Sequence, residues 1–175
     1  MKKSKQMAVC GVIAALSVVL LFLGSVVWVF AYCAPILTGL LMIILLQCMD
    51  VKSSLIVYVA VSMITLIFMP DKECPLTYIF FFGYYSILKP KLEKIKLKFL
   101  SIVLKLVIFN IGIIASQLIL IYAFGIPFDN VFGKWGVIVL ILLANVVFFV
   151  YDKLLNVLIV LFNKKYKNKI MKFIK

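Results

Sequence analysis

Six apolar runs separated by short polar gaps dominate the chain. They cover roughly 7–30, 35–49, 53–69, 75–88, 99–124 and 134–162. A bilayer crossing takes about 20 apolar residues as a helix, so the pattern predicts an all-α integral membrane protein. The expected form is one compact bundle of six transmembrane helices, a single polytopic domain over 1–175 with a basic tail at 163–175. The second and fourth runs are short for a bilayer. They can borrow flanking residues, thin the membrane or be partly re-entrant. The alternative count is four, with those two runs not crossing.

Proline and glycine punctuate the gaps. Pro35 follows the first turn, Pro70 and Pro75 bracket Asp71-Lys72-Glu73-Cys74, and Pro90 lies in a lysine cluster. Gly125, Pro127 and Gly133 shape the last connection, where Asp129-Asn130 suits a turn or cap. The first run follows Lys2, Lys3 and Lys5 like a signal peptide. At about 24 residues it exceeds a signal core, and Ala31-Tyr32-Cys33 is a poor cleavage site, so a retained helix is expected.

Composition agrees with this reading. The chain has 175 residues, 66% of them hydrophobic, and a mean hydropathy of +1.24. Soluble domains are about 45–50% apolar. The formal net charge is +13, and all 19 basic residues are lysine, with no Arg or His. Such a charge on a soluble chain would suggest nucleic acid, but the hydropathy argues against that partner. The lysines sort by segment instead. Lys2 to Lys5, Lys52, the cluster Lys89, Lys91, Lys94, Lys96 and Lys98, and the tail from Lys164 to Lys175 fall on one side of a six-span arrangement. The other side carries Lys72 and Lys134 against Asp71, Glu73 and Asp129. The positive-inside rule then puts both termini in the cytoplasm. The expected location is the bacterial cytoplasmic membrane, multi-pass, and an all-lysine basic set fits a low-GC source. The lysine cluster and tail attract anionic lipid or an acidic partner, and Ile170, Met171, Phe173 and Ile174 can lay the tail on the surface.

Several chemistries have no signature. Without His there is no HExxH zinc site and no Ser-His-Asp or Cys-His machinery. No P-loop motif occurs, and Cys10, Cys33, Cys48 and Cys74 lack CxxC spacing. No metal site, cofactor or catalytic residue is expected. Cys33 and Cys74 fall in outer gaps, where a disulfide is conceivable.

Polar residues inside apolar runs are the default site candidates. The fifth run holds Lys105, Asn110, Ser116 and Gln117, and the sixth Asn145, Asp152 and Asn156. Their spacings place each set near one helix face, which suggests two facing stripes. These serve either interhelical hydrogen bonding or a ligand cavity. Lys105 and Asp152 lie at similar depth and are expected to form an ion pair, unless Lys105 snorkels to the headgroups. Toward the outer side, Trp28, Tyr32, Asp71, Glu73, Tyr78, Gln117 and Tyr122 form either an interfacial belt or, with Asn110 and Asn145, the frame of a ligand pocket. Asp129, Asn130 and Trp135 lie on the same side. The aromatic stretch Tyr78 to Tyr85, interrupted by Gly83, reads as packing. Ala8, Gly11 and Ala15 form a small-residue strip on the first helix that admits a close helix partner, from this chain or another.

With these features the chain resembles the substrate-binding S components of energy-coupling factor transporters. The resemblance rests on size, six hydrophobic spans, inside termini and the strip, in which Gly11 and Ala15 stand closest to that family's Ala-xxx-Ala docking motif. It implies a subunit that binds a vitamin or other micronutrient near the outer face. It also implies docking through the first helix on a coupling subunit driven by two cytoplasmic ATPases, with no enzymatic activity of its own. Gly11 departs from the motif, and no substrate signature is recognisable. The alternative is a non-transporting scaffold, similar to small multispanning subunits of bacterial cell-shape complexes. A third class is a membrane enzyme acting on lipid through Asp71, Glu73 or Asp152.

Overall fold

The computed structural model describes residues 3–95, 97–125 and 133–166. The fold is all-α, with no strand among the described residues. Helix α1 (Lys3–Val26) leads through a 3-10 turn (Trp28–Phe30) into α2 (Cys33–Cys48), and α3 (Val51–Phe68) follows. Next comes a rod made of α4 (Glu73–Thr77), a π turn (Tyr78–Phe82) and α5 (Gly83–Leu92). The chain ends in α6 (Lys98–Phe124), α7 (Gly133–Leu161) and a second π turn (Phe162–Tyr166). Among the described residues these are six helical segments, close to the six apolar runs. The first and fourth depart most: α1 runs 3–26 rather than 7–30, and the rod 73–92 rather than 75–88. At 1.5 Å per residue it reaches about 30 Å, while α2 reaches about 24 Å.

Long-range contacts set the order of the two ends. Ser25 Oγ meets Met69 Sδ at 3.4 Å and Tyr32 donates to Glu73, so the α1–α2 and α3–α4 turns share one end. The α5–α6 turn lies at the other, where Ser101 donates to the Leu92 carbonyl at 2.9 Å. Local chemistry ends each element. Asp71 carboxylate oxygens accept the N–H groups of Glu73 and Cys74 at the start of α4. Lys72 Nζ caps the end of α3 through the carbonyls of Leu66 and Met69. Gly125, at φ +64°, closes α6 in the left-handed conformation that glycine adopts without strain.

Among the described residues four helices are long and apolar enough to cross a membrane: Ser4–Val26, Val51–Phe68, Phe99–Phe124 and Ile141–Lys165. Large apolar side chains such as Phe22, Ile56, Ile67, Ile111 and Leu142 face outward. Ser54, Thr65, Ser86, Lys89 and Lys105 are buried. Soluble proteins rarely leave so much apolar surface uncovered. The buried hydroxyls are mostly satisfied within their own helices, as when Thr65 donates to the Val61 carbonyl at 2.8 Å.

The rod is the spine of the core. Its π turn presents carbonyls to three neighbours: Ile79 O accepts the Tyr58 hydroxyl at 2.7 Å, Phe80 O abuts Gly112 of α6, and Phe82 O abuts Gly39 of α2. A π turn leaves the ordinary i to i−4 ladder locally broken, so these neighbours occupy backbone that the helix itself does not cover. Pro90 does not end the rod. It removes only the bond that its N–H would have made to the Ser86 carbonyl.

Candidate functional site

Two features stand at opposite ends of the same three helical segments: a cavity at the end of the α1–α2 and α3–α4 turns, and a cluster of charges toward the α5–α6 turn. Between them lies a plate of aromatic rings.

The charge cluster forms because the longer rod places Tyr85, Lys89 and Glu93 four residues apart, on one helix face. Lys89 is completely buried. Its ammonium meets Glu93 Oε1 at 2.9 Å, the Asp152 main-chain carbonyl at 3.1 Å, and Asp152 Oδ1. Those three acceptors match its three donors. Lys105, from α6, sits 3.0 Å from Asp152 Oδ2 and 3.4 Å from Glu93 Oε1. Tyr85 donates to Asp152 Oδ1 at 2.6 Å. Two ammonium groups and two carboxylates thus balance across α5, α6 and α7.

Lys105 and Asp152, expected to pair, are brought together. The sequence reading placed Lys89 among surface lysines of the inner loop, and this is corrected: it is an interior cation. The usable signal was the Tyr85–Lys89–Glu93 spacing, hidden by ending the fourth helix before Pro90.

Nearer the middle of the bundle, Asn110 and Asn145 form a reciprocal amide pair. Each Nδ2 donates to the other's Oδ1, at 3.0 and 3.2 Å. The remaining donors go to their own helices, to Leu106 O and Ile141 O, each at 2.8 Å. The two stripes therefore do face each other, but the asparagines satisfy one another. Asn156, expected on the same stripe, is exposed. Ser116 donates to Ile113 O in its own helix.

The aromatic plate centres on Phe81. Its ring centroid lies 4.7 Å from Tyr85, 4.8 Å from Phe109 and 5.7 Å from Phe148. Edge-to-face and offset geometries of this kind pack favourably. Tyr151 lies edge-on to Phe82 at 4.9 Å and shares a 3.0 Å hydrogen bond with Ser86. The stretch Tyr78 to Tyr85 is thus largely packing.

Above the plate, the described residues line a cavity of about 600 Å³. Phe82 and Phe109 border it on the plate side. Ile113, Ile121, Ala144 and Val147 contribute apolar wall, and Tyr32, Glu73, Thr77 and Gln117 supply its polar atoms. Tyr32 donates to Glu73 Oε1 at 2.8 Å. Burial, and then the neighbouring Glu73 carboxylate, push the Tyr32 hydroxyl well above the ordinary tyrosine pKa, so it stays a donor. Thr77 spends its hydroxyl on the Glu73 main-chain carbonyl at 2.8 Å.

Of the expected ligand residues, Tyr32, Glu73 and Gln117 line this cavity. The others do not. Trp28 and Tyr122 are 85% and 84% exposed and point away from the bundle. Asp71 caps α4. Tyr78 is buried beside Tyr58, with a ring separation of 5.9 Å. Asn110 and Asn145 bind each other. Asp129 and Asn130 lie outside the described residues, as do the Trp135 side chain and the tail residues Ile170, Met171, Phe173 and Ile174. Cavity residues Thr77, Phe82 and Ile113 carried no distinguishing signal in the sequence.

Cys33 and Cys74 are free thiols, as are Cys10 and Cys48. Cys74 is buried, its Sγ 3.7 Å from the Leu21 carbonyl. Among the described residues no group of His, Cys, Asp or Glu is arranged to hold a metal. Ala8, Gly11 and Ala15 are exposed on α1, and a Cβ added at Gly11 would meet nothing within 4 Å. The strip is therefore not used for packing among the described residues.

No family model, curated protein or solved structure matches the chain.

Proposed function

We propose that the chain is a six-span protein of the bacterial cytoplasmic membrane with both termini inside. In this reading it is the substrate-binding subunit of an importer of the energy-coupling factor type, for a vitamin or other micronutrient. The observation that carries the proposal is the cavity of about 600 Å³ at the lysine-poor end of the bundle, a size ordinary for small-molecule sites. The aromatic plate closes its inner side, as a subunit that loads from outside requires. The exposed strip of Ala8, Gly11 and Ala15 is the surface offered to a coupling subunit that carries the two ATPases.

The test is gentle detergent purification with mass spectrometry of what accompanies the protein. Recovery of an ATPase module is the expected result. Its absence, while a known transporter complex survives the same procedure, overturns the reading.

Orientation has its own prediction. Cys33 is exposed at the end assigned to the outside, whereas Cys74 is buried there. A membrane-impermeant maleimide added to intact cells is expected to label Cys33 and spare Cys74. Labelling of Cys33 only after lysis would reverse the assigned orientation.

The scaffold reading is favoured by a different observation. The Asn110–Asn145 pair and the balanced charge cluster leave little of either stripe free for a ligand. A scaffold would co-purify with cell-envelope proteins and bind no small molecule.

A further inference from the structure

We propose that the outer cavity takes a lipophilic molecule bearing one cationic group, a protonated amine above all, held by Glu73. This rests on reading the chain as a ligand-binding subunit and names the class of ligand. Among the described lining residues, Glu73 carries the only charge. Its Oε1 accepts from Tyr32, while Oε2 has no hydrogen-bond partner among the described residues. Lys72, the nearest cation in sequence, is turned onto the carbonyls of Leu66 and Met69 and does not line the cavity.

The other polar groups make the choice sharper. Tyr32 and Thr77 have committed their donors, to Glu73 and to its main-chain carbonyl. Gln117 makes no hydrogen bond among the described residues, so its amide remains available for a second polar contact. The rest of the wall is aliphatic or aromatic. An anionic ligand would meet Glu73 with no cation among the described lining residues to offset the repulsion. A strongly polar neutral ligand would lose hydration against Ile113, Ile121 and Val147 without enough partners to replace it. A cation on an apolar body pairs with the one free carboxylate oxygen and leaves the wall covered. Ile114, Leu118 and Leu143 of the rim remain half exposed, which gives a lipophilic molecule a sideways approach from the bilayer as well as from the outer end.

The experiment uses the full chain in lipid nanodiscs and three matched radiolabelled probes: biphenylmethylamine, biphenylmethanol and biphenylcarboxylate. Equilibrium dialysis is corrected with empty nanodiscs. The amine is expected to bind about tenfold more tightly than the alcohol, the usual scale of one charge-assisted hydrogen bond, with the carboxylate weakest. Glu73→Gln is expected to abolish the preference for the amine over the alcohol. An unfolding temperature equal to that of the unaltered chain shows that the variant is folded. Equal binding of amine and carboxylate, no binding of any probe, or an amine preference that survives Glu73→Gln would overturn the proposal. Failure to recover an ATPase module affects only the transporter reading, because these dialysis measurements do not involve the partner.

Discussion

Replacing Asp152 with alanine is expected to destabilise the protein by about 3–5 kcal/mol, the scale on which removing one member of a buried ion pair is felt. Asp152 accepts from Lys89, Lys105 and Tyr85. Without it two ammonium groups face the single carboxylate of Glu93, and Lys89 has no access to solvent. Lys105 is long enough to turn toward the inner surface, but Lys89 is enclosed by the rod and α7. The penalty therefore concentrates on Lys89. The charge-balanced variant Lys89→Met with Asp152→Asn is expected to recover most of the loss, since exchanging a buried pair for uncharged groups is often neutral or better. Thermal unfolding in nanodiscs measures both. Equal destabilisation by Asp152→Ala and by the double variant would mean that the loss comes from the ionic contacts of Asp152 themselves and not from leaving Lys89 unbalanced. A loss below about 1 kcal/mol in Asp152→Ala would show that the cluster is hydrated enough to behave as a surface pair.

The helical segments were readable because a hydrophobic run long enough for a helix has few other ways to fold. The register of the last two was readable for a related reason. Lys105 and Asp152 pair as expected because charges in an apolar setting must find each other, and Asn110 and Asn145, expected as ligand residues, pair in the same antiparallel register. Lys89 is not legible as an interior residue from an apolar run that stops at 88, with Pro90 just beyond it. In the structure the rod tolerates proline at the cost of one backbone bond, and the missing turn is what carries Lys89 inward. The cavity was harder still. Trp28 and Tyr122 have the composition of a binding wall and face the wrong way, while Thr77 and Ile113 have no distinctive chemistry and face the right way. Direction of a side chain around a helix depends on which neighbour the helix packs against. For α4 and α6 that is settled by the π turn, for which the sequence carries no clear sign.

The arrangement gives the two ends of the bundle different tasks. At the cavity end the walls are apolar, one carboxylate oxygen is uncommitted among the described residues, and the aromatic plate closes off the far side. At the other end Lys89, Lys105, Glu93 and Asp152 are committed to one another. Tyr85 belongs to both, since its ring packs on Phe81 in the plate while its hydroxyl binds Asp152. Loss of the cluster should therefore loosen the plate, and with it the cavity wall at Phe82 and Phe109.

A second large effect is expected from adding one methyl group to α6. A Cβ at Gly112 would collide with the Phe80 carbonyl oxygen and stand 3.3 Å from the Phe80 carbonyl carbon. The first obstacle is main chain within the π turn, which cannot rotate away as a side chain would. Gly112→Ala must push α6 off the rod, and overpacking of this kind costs about 1–3 kcal/mol. The displacement falls between the cavity, lined by Phe109 and Ile113 on the same helix, and the Asn110–Asn145 pair. Biphenylmethylamine binding should weaken together with stability. Gly11→Ala is the matched control, because a Cβ there meets nothing within 4 Å and alanine is the better helix former by up to about 1 kcal/mol. It should leave unfolding temperature and binding unchanged or slightly improved. It also restores Ala-xxx-Ala with Ala15, so a coupling subunit that reads this strip should be recovered at least as well as with the unaltered chain. If Gly112→Ala and Gly11→Ala were equally benign, close approach of α6 to the π turn would not be what holds the cavity wall in place.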